Sequence, residues 1–418
     1  MVNAAPNTSR GRTRRVGLSA LRRVCATALA TSEAMVAASN LYLLTLLLAA
    51  ARRAAPLDAD GPSLGGGPRR LVVLIPAHDE QLMITSTVGS LLQCDYARSD
   101  SRLVVIADNC TDETAGRARA AGAEVWERDE QAKRGKGFAL AWAQERLRSE
   151  GDDFDAVVVV DADCLVSRNL LSVIDVHLRD GVEAIQVDYV VANPEESTAS
   201  ALRHGAFALA NTVRYRGKHG LGLSCGVAGT GIAFSARLLE RVPWADFGLV
   251  EDAEHHMRLV LAGERVRFAG EAWVSSPMPT TLGGSGEERW ERGRLTLLRR
   301  WTPRLLRAGI ARRDPVRLHA GLEWLVPPQS LLAALGLASA AGRLAAGPRK
   351  RSLIAAAGLT GQMVFVIGGL RLTGAPRSVY RALAGAPRMI AAKTLLYLRL
   401  LAGRGPTTWV RTERDGRA

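Results

Sequence analysis

Between residues 71 and 274 the chain alternates short apolar runs with longer stretches of helical spacing. The runs Leu-Val-Val-Leu-Ile (71–75), Leu-Val-Val-Ile (103–106), Ala-Val-Val-Val-Val (156–160) and Ala-Ile-Gln-Val (184–187) are rich in β-branched residues and read as buried strands. Residues 81–93, 111–121 and 137–148 between them read as helices. Such alternation predicts a parallel α/β sheet. In sheets of that kind ligands collect outside the carboxyl ends of the strands.

Three windows of a different kind flank this region. Residues 34–51, 324–342 and 352–370 carry no charged side chain and run for 18, 19 and 19 residues. A bilayer core needs about 20 predominantly apolar residues, so each window is long enough to span. Pro327 and Pro328 break the first turn of the second window, and the Ala- and Gly-rich third window suits close helix packing in lipid. A cleaved signal peptide is the rival reading of the first window, but the apolar region is too long for one. The expected organisation is a basic segment at 1–33, a span, a Pro- and Gly-rich linker at 52–70, the α/β domain at 71–301 and a basic juxtamembrane segment at 302–323. The two further spans, a surface amphipathic helix at 378–404 and a tail at 405–418 follow.

The chain of 418 residues has a formal charge of +14. Much of the excess flanks the apolar windows, which favours a membrane surface over nucleic acid. No helix-turn-helix, zinc or aromatic-basic pattern accompanies the charge, so nucleic acid is not an expected partner. The five cysteines show no C-x-x-C spacing, which argues against a disulfide framework or a structural zinc and suits a reducing cytoplasm.

The candidate chemistry lies at strand ends. The first strand runs into Pro76-Ala77-His78-Asp79-Glu80 without the G-x-G-x-x-G of a dinucleotide site, so hydride transfer is not expected. The second ends at Asp108, placed to accept hydrogen bonds from a ligand, with Asp112 a helix cap. Lys136, in Lys-Arg-Gly-Lys-Gly before a helix, suits a phosphate, against the plainer reading of a solvated loop. The strongest local signal is Asp161-Ala162-Asp163 after four valines. Two carboxylates at the end of a buried strand are costly unless a cation offsets them, and a hard divalent ion bridging substrate phosphates does so. Asp252, in Glu251-Asp252 before a helical stretch, can act as a general base or only as a cap. A zinc cluster with His255 and His256 is disfavoured because adjacent histidines point in different directions. Arg289 can clamp a diphosphate and Trp290 can stack on a sugar, or both can belong to an interfacial helix.

In order, Pro76 to Glu80, Asp108, Asp161-Ala162-Asp163, and Glu251-Asp252 followed by Arg289-Trp290 resemble the family 2 inverting glycosyltransferases, in particular the membrane-embedded branch of cellulose and hyaluronan synthases. The resemblance implies a GT-A (Rossmann-like) α/β domain with flanking transmembrane helices, a UDP-sugar donor and Mg2+ or Mn2+. It implies that Ala77, Glu80, Asp108, Lys136, Asp161 and Arg289 would hold the donor nucleotide and diphosphate, and that Asp163 would bind the metal. It also implies that Asp252 would be the general base, with Gly229, Thr230, Gly231, Glu251 and Trp290 around the acceptor. The family's last motif reads Gln-x-x-Arg-Trp; here Gly286 stands in place of the glutamine, a departure that bears on processive polymerisation more than on catalysis.

The expected activity is hexosyl transfer, of glucose or N-acetylglucosamine, to a lipid or glycan hydroxyl in polysaccharide or glycolipid biosynthesis. Alternatives are a catalytically silent membrane scaffold of the same fold and a sugar-phosphate nucleotidyltransferase. The expected location is the cell membrane, multi-pass, with the catalytic domain facing the cytoplasm, where UDP-sugars are made. The basic 299–317 segment agrees with that orientation, whereas the Arg-rich N-terminus before a single span points the other way.

Overall fold

The computed structural model describes residues 9–52, 67–151, 153–281, 285–346 and 349–402. Helix α1 (Ser9–Arg52) leads to strand β1 (Leu71–Ala77), α2 (Ile84–Leu92), β2 (Ser101–Asp108), α3 (Thr114–Ala120), β3 (Glu124–Arg128), α4 (Lys136–Glu150) and β4 (Ala156–Val159). There follow β5 (Leu165–Val166), α5 (Leu170–Arg179), β6 (Ala184–Val191), α6 (Thr198–Phe207), a π-helical turn at Ala208–Val213, α7 (Arg214–Gly220), β7 (Ile232–Ser235) and α8 (Ala236–Arg241). The domain closes with α9 (Glu251–Ala262), β8 (Arg267–Ser276), α10 (Ser285–Arg300) and α11 (Thr302–Arg312). The remaining helices are α12 (Pro315–Leu322), α13 (Gln329–Ala346), α14 (Arg349–Leu372), α15 (Arg377–Ala382) and α16 (Ala386–Leu401).

Among the described residues, eight strands form one sheet in the order β3-β2-β1-β4-β7-β6-β8-β5. Strands β1 to β4 pair in parallel, as the alternating pattern requires. The expectation of a parallel sheet needs correcting beyond them: β7 runs antiparallel to both β4 and β6, and β5 antiparallel to β8, so the sheet is mixed. Strand direction there depends on where the α6–α7 excursion returns the chain, which hydrophobic period does not encode. Both sheet faces are covered: Val73, Ile75, Val105 and Val158 pack on one side, Val72, Leu74, Val104 and Val157 on the other. Burial on both faces is the reason the strands read as continuous apolar runs.

Among the long apolar helices three expectations change in detail. From Ser9 on, the segment expected at 1–33 is continuous with the first window, because α1 runs unbroken from Ser9 through Arg52 and its stretch from Arg23 is apolar enough to cross a bilayer; residues 1–8 lie outside the described residues. The second window begins its helix only at Gln329, after the two prolines, and meets the preceding Pro315–Leu325 stretch at a bend of 60°. Leu353–Leu372 is the third candidate span. The expected single surface helix at 378–404 is two helices, α15 and α16, with a 3-10 turn at Leu383–Gly385 between them. Helix α16 is held against α10, since Lys393 Nζ donates to Glu291 Oε1 at 3.3 Å and the Tyr397 hydroxyl to Glu291 Oε2. Most of the linker at 52–70 and all of the tail at 405–418 lie outside the described residues.

The apolar helices hold polar groups where these can pair. Arg343 donates from Nε and Nη2 to the two oxygens of Glu33 at 2.7 and 2.6 Å, and Asn40 Nδ2 donates to the Gly358 carbonyl at 2.6 Å. Ionisable groups inside an apolar bundle are tolerated when matched in this way. The α/β domain packs against the helical bundle through α7. A Cβ on Gly217 would stand 2.3 Å from the Leu46 carbonyl oxygen, so only glycine allows the two backbones to approach. One residue on, Lys218 Nζ donates to Glu323 Oε2 at 2.9 Å in a buried pair, and Arg214 Nη2 reaches the same oxygen at 3.5 Å.

Candidate active site

The site forms where the ends of β1, β2 and β4 meet the start of α9. Strand β4 runs out through Val160 into Asp161, whose backbone N–H donates to Thr230 Oγ1 at 3.0 Å. Thr230 is fully buried, so its hydroxyl fixes the turn that carries both carboxylates. Donor atoms of Asp161, Asp163 and Cys164 lie within 4.8 Å of one another, a spacing that could hold one metal ion. Burial, with the carboxylates of Asp163 and Asp161 beside it, pushes the Cys164 thiol well up and keeps it neutral, which leaves the two aspartates as the charged donors. Two carboxylates are the oxygen ligands that a hard divalent ion takes.

Lys136, first residue of α4, donates from Nζ to Asp161 Oδ1 and to the Gly229 carbonyl, the latter at 2.7 Å. Burial works against its charge, yet Asp161, Glu251 and Asp252 outweigh burial and hold the ammonium above its ordinary range. The cation therefore sits between the strand-end carboxylates and the start of α9. Gly229 occupies the left-handed region at φ 82°, and a Cβ there would lie 3.1 Å from Asp252 Oδ2 and 3.6 Å from Lys136 Nζ. Glu251 and Asp252 occupy the first turn of α9, where Asp252 Oδ1 accepts the Ala253 N–H at 2.8 Å. Asp161, Lys136, Gly229, Thr230 and Asp252, dispersed over more than ninety residues of sequence, thus share one cleft. Gly231, at φ 63°, packs its α-carbon against Val187 and Val274 beneath that cleft.

The β1–β2 side is more committed than its sequence suggested. Ala77 is buried at the end of β1, and His78 Nδ1 lies 2.8 Å from the Asp108 carbonyl. Asp79 accepts the Thr111 N–H at 2.7 Å, and the Glu80 carbonyl accepts Met83 and Ile84 N–H at the start of α2. Asp112 acts as a helix-start acceptor, taking the Thr114 N–H at 2.9 Å. Asp108 is buried, and its Oδ1 accepts from Arg128 Nη1 and from Asn109 Nδ2. Arg128, at the end of β3, was not foreseen as part of the site; nothing local in Glu-Val-Trp-Glu-Arg distinguishes it.

Gln186 was also missed. It is fully buried in β6, where Oε1 accepts the Ala228 N–H at 2.8 Å and Nε2 donates to the Thr230 carbonyl at 2.9 Å. Both bonds brace the 228–231 turn. An amide inside an otherwise apolar strand was the available signal, because a buried amide needs built partners.

The two histidines of α9 turn to different partners. His255 stacks on Trp244 with centroids 4.4 Å apart and lies 3.3 Å from Asp246 Oδ2, while His256 Nε2 meets Ser224 Oγ at 2.8 Å. On α10, Trp290 is exposed and its ring lies 6.1 Å from that of Phe207. Gly293, one turn on, packs against Val250, so α10 crosses the start of α9. The side chain of Arg289 lies outside the described side chains.

A mixed α/β sheet with paired aspartates at the end of its fourth strand is the GT-A glycosyltransferase architecture. The model of the family described as glycosyltransferase-like family 2 matches residues 68–293, a little over half of the chain, and the protein belongs to that family. The probable glycosyltransferase YdaM of Bacillus subtilis (strain 168) is 24% identical over 237 residues, covering 54% of this chain. The match spans 55% of that relative's length, so the two share about half of it. Among solved structures, the mannosyltransferase PcManGT from Pyrobaculum calidifontis, in complex with GDP-Man and Mn2+, superposes with a TM-score of 0.52. It is 19% identical, and the match covers 81% of this chain and 97% of that one.

Proposed function

We propose that this protein is a membrane-bound inverting glycosyltransferase that moves a hexose from a UDP-sugar to a hydroxyl of a lipid or glycan. The observation that carries the reading is the convergence of the Asp161–Asp163 pair, Lys136 and Asp252 around the Gly229 turn. Asp163, with Asp161, is the site for Mg2+ or Mn2+; a bound ion supplies positive charge against the leaving diphosphate. Lys136 adds a fixed cation on the same side, and the family motif gives Arg289 a diphosphate-binding role. Ala77, Glu80 and Asp108 face the nucleoside. For Asp108 this role falls to Oδ2, since the hydrogen bonds it makes to Arg128 and Asn109 both use Oδ1. Asp252 takes the proton of the attacking hydroxyl, and Glu251, Gly229, Thr230, Gly231 and Trp290 border the acceptor.

Two candidate spans, or three with the bent pair taken as one, support a multi-pass protein; a cytoplasmic catalytic domain is the orientation that a UDP-sugar donor requires. Gly286 in place of the family's glutamine favours single transfer over polymerisation.

The test is nucleotide release by the detergent-purified full chain with Mg2+ or Mn2+, across UDP-sugars and GDP-mannose, with lipid extract as acceptor source. Metal-dependent release from one donor is expected, and it should vanish in D161A/D163A. Asp252→Asn should bind that donor with unchanged affinity by calorimetry and lose turnover. Turnover equal to the parent's would remove Asp252 as the base, and absence of metal-dependent donor binding by the folded parent would sink the enzyme reading.

A further inference from the structure

A cavity of about 360 Å³ lies between α9 and α10, against the irregular segment 242–250 that leads into α9. Its wall includes Asp246, Gly248, Glu254, Arg258, Thr296 and Arg300. Two of its carboxylates are buried, Asp246 at 4% and Glu254 at 5% exposed. Asp246 is fully matched: Arg258 donates to its two oxygens at 3.1 and 2.6 Å, and His255 Nδ1 lies 3.3 Å away. Glu254 is less well matched. Its Oε1 takes two long bonds, from Arg300 Nη1 at 3.4 Å and from Trp301 Nε1 at 3.5 Å. Its Oε2 accepts no hydrogen bond among the described residues and lies beside Gly248, where a Cβ would stand 2.5 Å from it. Buried carboxylate oxygens are hydrogen-bonded as a rule, so this one points to a donor from outside the chain. Asp252 projects from the other side of α9, since two residues turn an α-helix by about 200°.

The charges on the wall decide what fits. A bare cation would meet Arg258 and Arg300 beside Glu254, and a bare anion would meet Glu254 and Asp246. Arg300 has its side chain 55% exposed, and its guanidinium makes a single long hydrogen bond, the one to Glu254. Its remaining donors can take an anionic oxygen pair. A ligand with a hydroxyl donor for Glu254 Oε2 and an anionic group for Arg300 therefore satisfies both. The volume lies at the small end of ligand pockets, which span about 300–1,000 Å³, so the molecule is compact. The segment against the cavity is fastened to both sides of the cleft. A Cβ on Gly137, next to Lys136, would stand 2.2 Å from the Asp246 carbonyl oxygen, and Phe247 stacks on Phe138 with centroids 4.2 Å apart. At its other end Val250 packs on Gly293 and leads into Glu251 and Asp252.

We propose that this cavity is a binding site for a small phosphorylated polyol, separate from the donor and acceptor positions assigned above. A hydroxyl of the ligand donates to Glu254 Oε2, and its phosphate accepts from Arg300. Once bound, it ties segment 245–250 to α9 and α10 and stiffens the link between the start of α4 and the start of α9.

The experiment uses the detergent-purified full chain with glycerol 3-phosphate, glycerol or inorganic phosphate as probes, read by calorimetry and by hydrogen exchange. Glycerol 3-phosphate should slow exchange in 244–258 and 293–300. Because it makes both contacts, it should bind about 10-fold or more tighter than glycerol or phosphate alone. Glu254→Gln, which keeps the volume and removes the charge, should weaken binding by on the order of 10-fold. Thr296→Trp fills the cavity from an exposed helix position and should abolish binding. No binding by the folded parent, equal affinity for glycerol 3-phosphate and phosphate, or unchanged binding in Thr296→Trp would overturn the site. Protection confined to the strand ends at Asp108 and Asp161 would place the phosphate in the donor cleft and overturn it too. No arm uses a sugar nucleotide, so the result is independent of the transferase reading.

Discussion

The buried pair between Lys218 and Glu323 offers a test of how firmly the apolar helices and the α/β domain depend on each other. Their side chains are 3% and 7% exposed, with Nζ and Oε2 2.9 Å apart. Glu323→Gln removes the negative charge and leaves Lys218 without a counterion in a dry junction. Breaking a buried pair by neutralising one partner costs about 3–5 kcal/mol, whereas replacing both by apolar groups of similar volume is often neutral or stabilising. For a domain of this size each kcal/mol moves the midpoint by about 2–4 °C, so Glu323→Gln should lower Tm by on the order of 10 °C. Lys218→Met combined with Glu323→Leu should recover part of that loss, because Arg214, which also pairs with Glu323, keeps its charge.

The effect should extend to turnover. Lys218 Nζ sits 5.0 Å from the Tyr215 ring centroid, and a Cβ on Gly226 would lie 2.8 Å from the Tyr215 hydroxyl, three residues before Gly229. Scanning the intrinsic tryptophan fluorescence of the detergent-solubilised variants gives Tm, and nucleotide release gives turnover. If the single variant were as stable as the parent, or the double variant fell further than the single, the pair would not be the junction's controlling contact.

Two further outcomes follow from the site. Gly229→Ala places a Cβ 3.1 Å from Asp252 Oδ2 at φ 82°; the backbone alone should cost about 1–2 kcal/mol, and displacement of Asp252 should lower kcat by on the order of 10- to 100-fold. Unchanged kcat in a folded variant would separate Gly229 from the reaction. His256 is neutral in the fold, with burial, and Lys218 beside it, pulling it down to about 3 from its ordinary 6.5. The unfolded chain therefore binds a proton that the folded one refuses, and stability falls with pH from about 6.5 toward 3, by about 1.4 kcal/mol per unit. His256→Gln should flatten that slope in urea midpoints measured at pH 6.5 and 5; an equal slope in both proteins would assign the acid loss elsewhere.

Much of this site was legible before any coordinates. Asp161-Ala162-Asp163 stood out because carboxylates after a run of valines have few physical explanations, and the family motifs placed Asp252 and Trp290 at matching intervals. The double proline at 327–328 announced the bend before α13. Other contributors left no local trace. Arg128 matters because β3 lies beside β2, so that its guanidinium reaches Asp108. Gln186 was counted among strand residues, and only the turn packed on β6 gives its amide partners. The histidines of α9, adjacent in sequence, are separated by the packing of Trp244 and Ser224.

The sequence by itself determined strands β1, β2, β4 and β6 but not β3, β5, β7 or β8, and it determined which windows are apolar enough for lipid and which carboxylates follow apolar strands. Those properties depend on local period and composition, and neighbouring residues along the chain carry them. Tertiary structure alone decided the direction of β7, the pairing of Lys136 with Asp161, the ion pair at the Lys218–Glu323 junction and the approach of Phe207 to Trp290. Each of these joins residues far apart in the chain, and the distance between two such groups is set by the packing of the elements that carry them, which no local pattern records.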